Sequence, residues 1–99
     1  EFRRVLFRSV QDTSADVPLS LALISSFKNV PIDKGTIAFG ERGLTGEIRP
    51  VPYGQERIAE ATKQGFFKII VPYDNAPRGR QEGILIIPVR RVTELFSLI

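Results

Sequence analysis

Apolar residues along the chain alternate between helical and extended patterns. Thr13-Ser14-Ala15-Asp16 reads as a capping box, its Thr13 hydroxyl and Asp16 carboxylate both suited to the free N–H groups of a first turn. Pro18 falls in that turn, where it has little hydrogen bonding to lose. A helix is predicted from there to about Phe27, with Leu19, Leu21, Ala22, Leu23 and Ile24 covering nearly every face. A helix apolar all round is a buried one. Asn29 and Pro31 end it. Residues 36–39 and 47–51 read as strands, with the turn-rich, glycine-punctuated stretch 40–46 between them and Pro50 and Pro52 bounding the second. A helix over 55–64 follows, its inner face Ile58, Ala59, Ala61 and Thr62, and Gly65 sits where a left-handed C-cap belongs. Residues 67–71 form a nearly continuous apolar run, the kind buried on both faces of a sheet. A polar loop over 72–83, a strand over 84–89 and a helix over 91–98 with Val92, Leu95 and Phe96 inward complete the chain. The order αββαββα predicts an α/β (α+β) domain, a mixed sheet packed with helices.

Ninety-nine residues allow one domain, and the 42% apolar content is that of a globular chain. No run approaches the ~18–20 apolar residues of a membrane span. Cys and His are absent, which removes thiol nucleophiles, disulfides, zinc-finger chemistry and every His-based acid–base scheme. Met is absent as well, so an internal fragment or a processed product is expected. The net charge of +3 is unevenly placed: Arg3, Arg4 and Arg8 against Glu1 give residues 1–9 a net +2, leaving +1 for the other ninety. The string EFRRVLFRS resembles the translation of a synthetic sequencing adaptor. Residues 1–9 are therefore expected to be a non-native tail and residues 10–99 the domain. The alternative is a native strand, Phe2, Val5 and Phe7 being apolar among arginines.

The chemistry carried by single residues is thin. Gly40, Gly43 and Gly46 have GxxGxxG spacing, neither a dinucleotide fingerprint nor a P-loop, and supply turn geometry. Glu56 and Glu60 are an i,i+4 pair beside Lys63, a solvated helix face. Among the hydroxyls Ser14 stands out at a helix start, where backbone N–H groups could polarise an oxyanion. Capping alone is the simpler account of it.

Taken together, Thr13-Ser14-Ala15-Asp16, then Phe39-Gly40-Glu41-Arg42-Gly43-Leu44-Thr45-Gly46-Glu47-Ile48-Arg49-Pro50-Val51, then Gln55-Glu56-Arg57-Ile58 and Ile69-Ile70-Val71-Pro72 resemble the C-terminal Lon-protease-like domain of the bacterial RadA (Sms) family. The resemblance runs from Asp12 to Leu98. It implies a Lon-like fold with its opening strands missing, in a cytoplasmic, ATP-dependent repair and recombination protein that migrates DNA branches. No cofactor is implied in this chain; ATP, Mg and Zn are expected in domains upstream. True Lon peptidases use a Ser–Lys dyad. Ser14 falls on the serine position, and the lysine position falls on Gln55, a carboxamide with no basic nitrogen. A dyad lysine must be neutral and desolvated to take the serine proton. Lys63 lies eight residues further along a helix, about 12 Å away. The resemblance thus implies a scaffold and DNA-binding module, in a homo-oligomeric, hexameric ring, contacting duplex or branched DNA. The alternatives are an active Ser-dependent peptidase with another base and a domain of a Lon protease itself. Arg49, Arg57, Arg78 and Arg80 are the candidate phosphate contacts, the arginine fork matching phosphate oxygens; scattered solvated charge is the competing account of each.

Overall fold

A computed structural model describes residues 16–77, 79 and 83–98. The tail 1–9, Thr13, Ser14, Arg78 and Arg80 lie outside the described residues. The run Lys68-Ile69-Ile70-Val71-Pro72 becomes the centre of the fold. This strand, β4 (Lys68–Pro72), is flanked by β1 (Thr36–Ala38) and β5 (Leu85–Val89), all parallel, with Ile37 opposite Ile69 and Ile69 opposite Ile86. Residues alternate faces along a strand. Ile69 and Val71 accordingly join Phe39, Val51, Ile58, Ala61 and Phe66 in one core, and Ile70 joins Val17, Leu21, Ile24, Ala38, Val89 and Leu95 in the other. Burying one such aliphatic side chain stabilises the fold by about 1.5–3 kcal/mol, and β4 contributes three, each 0–1% exposed.

Helix α1 (Asp16–Lys28) covers the second of those cores and α2 (Gly54–Lys63) the first. Both end as their sequences predict. Asn29 takes φ +56°, with Asn29 N–H on Ser26 O at 3.2 Å and Val30 N–H on Ser25 O at 3.1 Å. Gly65 takes φ +94°, with Gly65 N–H on Thr62 O and Phe66 N–H on Ala61 O, each 3.1 Å. These paired bonds satisfy the last carbonyls of each helix.

Several expectations are corrected. Helix α1 is buried on one side only: Val17, Leu21 and Ile24 face the sheet, while Leu23 and Phe27 are 72% and 86% exposed and Leu19 nearly half exposed. It forms an outer layer, so only the side turned to the sheet finds neighbours among the described residues. The strand over 36–39 stands in a different sheet from the one over 47–51. It joins β4, and the segment read as turn-rich supplies β2 (Glu41–Arg42), antiparallel to β3 (Ile48–Arg49), with Glu41 opposite Arg49. On α2 only Ile58 and Ala61 of the expected inner face are buried; Ala59 and Thr62 are exposed. The final helix is a 3₁₀ segment (Val92–Leu98) that buries Leu95 and leaves Phe96 half exposed. A three-residue repeat carries Leu95 inward and rotates its neighbour Phe96 outward. Phe67 precedes β4 and is likewise half exposed, its ring lying over Gly35.

Candidate nucleic-acid interface

Parallel strands send all their carboxyl ends to one side, and the connections there bring together residues far apart in sequence. Past β1 come Phe39 and Gly40, then the β2–β3 hairpin; past β4 comes a short 3₁₀ turn (Tyr73–Asn75); past β5 come Arg90 and Arg91. Adjacent strands are about 4.8 Å apart, so the ends of all three lie within about 10 Å. Every described arginine gathers there. Arg42 and Arg49 are on the hairpin, Arg57 in the first turns of α2, and Arg90 and Arg91 beyond β5. The described lysines occupy the opposite end: Lys28 and Lys63 close the two helices, Lys34 precedes β1 and Lys68 opens β4.

The hairpin is held from several sides. Val17 N–H donates to Gly40 O at 3.1 Å, and Arg42 N–H donates to the Asp16 carboxylate at 3.1 Å, so the described half of the expected capping box anchors α1 to β2. Gly40 has φ +149°, and a Cβ there would lie 2.7 Å from Val17 Cγ2. Ile48 N–H donates to Arg90 O at 2.7 Å, and Val92 N–H to Gly46 O at 2.8 Å. The tip is clasped by Glu47, whose Oε1 accepts the Thr45 hydroxyl at 2.6 Å and Thr45 N–H at 3.1 Å, and by the Arg91 guanidinium, which donates to Thr45 O at 2.7 Å. The Thr45 hydroxyl above all, then Glu47's own N–H and Arg49, lower the Glu47 pKa from 4.5 to about 2. Leu44 projects from this tip fully exposed.

The arginines differ in what they already hold. Arg49 pairs with Glu47 at 3.0 Å and approaches Glu41 at 4.0 Å, with about half its side chain exposed. Arg57 donates from Nε to Pro52 O at 3.0 Å, its guanidinium 5.9 Å from the centre of the buried Phe39 ring. Arg90 lies over Tyr73 with its Cζ 3.8 Å from the ring centre, both residues open to solvent. Arg49 and Arg57 therefore share one end of the sheet. Gln55 stands exposed in the first turn of α2, behind Tyr53 at φ +63° and Gly54, which abuts Asn75. Sequence reasoning missed the Arg90–Tyr73 stack because the two are seventeen positions apart. A signal was present: each immediately follows an apolar strand, and the register Pro72 opposite Val89 sets the next residues side by side.

A family model described as subunit ChlI of Mg-chelatase matches residues 9–75 of this chain. Among curated proteins, the DNA repair protein RadA of Haemophilus influenzae is 50% identical over 90 residues, which is 91% of this chain and 20% of that protein. RadA of Escherichia coli is 48% identical over 89 residues, 90% of this chain and 19% of that protein. RadA of Bacillus subtilis is 34% identical over 86 residues, 86% of this chain and 19% of that protein. The chain spans about a fifth of the length of these relatives.

Proposed function

The chain belongs to the family described as subunit ChlI of Mg-chelatase, and on that premise we propose that it is a non-catalytic, Lon-like scaffold and DNA-binding domain of a RadA-type, ATP-dependent repair protein of the bacterial cytoplasm. One observation carries the reading: the described arginines converge at the carboxyl end of the parallel sheet. There Arg49 and Arg57 contact the phosphates of duplex or branched DNA during branch migration, and Arg78 and Arg80, outside the described residues, are the further candidates for such contacts. Arginine forks grip phosphate oxygens without reading bases, so binding is independent of sequence. A single copy carries little net charge, and a hexameric ring repeats each cluster about one axis. The exposed carboxamide of Gln55 supports the absence of peptidase chemistry, since it cannot accept a proton from Ser14.

The test is anisotropy of a labelled duplex titrated with the full-length assembled protein across a salt series. Replacing Arg49 and Arg57 with Ala weakens binding equally on unrelated sequences and flattens the salt slope by about one unit for each phosphate that is no longer neutralised. Unchanged affinity and slope after removal of both this pair and Arg78 with Arg80 would leave the domain as an assembly platform only. A fluorophosphonate probe that labels Ser14 would favour the peptidase reading.

A further inference from the structure

We infer that the Arg90–Tyr73 pair is a stacking site for an unpaired nucleobase, which gives this face a contact with single-stranded nucleic acid distinct from its contact with duplex. The inference rests on the nucleic-acid reading above and specifies what one part of that surface recognises. A cation 3.8 Å above a ring centre is in direct face contact. The guanidinium is planar, so covering one of its faces leaves the other as a ready platform. Tyr73 is 49% exposed and Arg90 is exposed, so the stack stands at the surface instead of plugging the core.

Both backbones are fixed. Tyr73 follows the buried Pro72, and its carbonyl accepts Ala76 N–H at 3.2 Å. Arg90 follows Val89, 2% exposed; its N–H donates to Glu94 Oε1 at 3.0 Å and its carbonyl accepts Ile48 N–H at 2.7 Å. A platform already in place loses little conformational freedom when a ligand docks. Among the described residues no carboxylate pairs with the Arg90 guanidinium, in contrast to Arg49, and no acceptor engages it as Thr45 O engages Arg91. Its N–H donors thus remain available to the phosphate of the nucleotide whose base it stacks. Paired bases present their faces to their own neighbours in the duplex. Only an unpaired base has a face to offer, which selects the single strand.

The experiment compares a fluorescein-labelled thymidine oligonucleotide with a duplex of equal length, at low ionic strength, on the 99-residue chain and its variants. An oligonucleotide carrying one 2-aminopurine reports stacking by quenching. Tyr73→Leu is expected to weaken single-strand binding roughly 5- to 100-fold, the loss of one stacked base, to relieve the quenching and to leave duplex binding unchanged. Tyr73→Phe keeps the ring and keeps both. Arg90→Lys keeps the charge without the plane and loses the single-strand preference. Equal losses on single strand and duplex, or full function in Arg90→Lys, would overturn the inference in favour of simple phosphate contact. Wild-type chain that binds duplex but not single strand would overturn the inference and leave the nucleic-acid reading standing; wild-type chain that binds neither would also overturn the inference, and the salt series on the assembled protein then decides the nucleic-acid reading.

Discussion

Asn75 holds Val51 by both of its backbone polar groups: its Oδ1 accepts Val51 N–H at 2.8 Å and its Nδ2 donates to Val51 O at 3.1 Å. A side-chain amide here does the work of a neighbouring strand. It ties the segment after β3 to the turn after β4, and it sets the point from which α2 departs with Gly54 packed on the same amide.

Replacing Asn75 with Ala leaves a buried Val51 without its two partners. A loss of about 1–3 kcal/mol is expected in urea denaturation, the cost of stranding buried backbone groups. Asn75→Asp keeps the acceptor and loses the donor, so its loss should be detectable and fall short of that of Asn75→Ala at neutral pH.

Gly40→Ala strains a backbone at φ +149° and drives a methyl against Val17. Destabilisation of more than about 1 kcal/mol is expected, with the largest chemical-shift changes at Val17 and Arg42. Gly65→Ala, where nothing lies within 4 Å of the added carbon, pays only for the left-handed φ. Its amide shifts should stay local to the end of α2.

The clasp at Glu47 is acid-sensitive. Its folded pKa of about 2 lies below the ordinary 4.5, so its stabilisation is fully present above pH 4.5 and is lost as pH falls through 2. Glu47→Gln should therefore melt below wild type at pH 7, the gap closing between pH 4.5 and 2. A gap that persisted at pH 2 would refute the assignment. The carboxyl carbon of Glu47, followed by NMR, should titrate near 2.

Thr36 is 3% exposed, and its hydroxyl is the one buried side-chain polar atom without a partner among the described residues. It borders a cavity of about 240 Å³ at the amino end of the sheet, lined also by Leu21, Ile70, Lys68 and Leu98. Thr36→Val keeps the shape and removes the stranded hydroxyl. Stability should hold or rise by about 1 kcal/mol in thermal unfolding; a fall would show that the hydroxyl is satisfied in solution.

The sequence made local features legible and left long-range ones obscure. Asn29 and Gly65 declared the helix ends because only a few residues tolerate positive φ, and the run around Ile69, Ile70 and Val71 declared a strand buried on both faces because it had no polar alternation. The pairing of residues 36–38 with β4 was not legible. A glycine-rich turn between two extended segments looks like a hairpin whether or not the flanking strands form it, and here the hairpin is the smaller one inside, Glu41–Arg42 with Ile48–Arg49. The apolar face of Leu23 and Phe27 misled for a related reason. Hydropathy tells what a side chain tolerates, not whether a neighbour arrives. At the candidate interface Arg49 and Arg57 were legible as basic residues in a matched run. Their carboxylate and carbonyl partners, and the meeting of Arg90 with Tyr73, required the strand register.

Leu44 joins two properties that are usually opposed: a fully exposed apolar side chain on a backbone locked at Gly43, Thr45 and Gly46. A protease with a taste for leucine needs more than a visible side chain. It must draw several residues into an extended strand within its cleft, which this tip can provide only by opening. Cutting after Leu44 therefore measures how often the clasp of Glu47 and Arg91 lets go, and the hairpin carries its own built-in reporter of local unfolding.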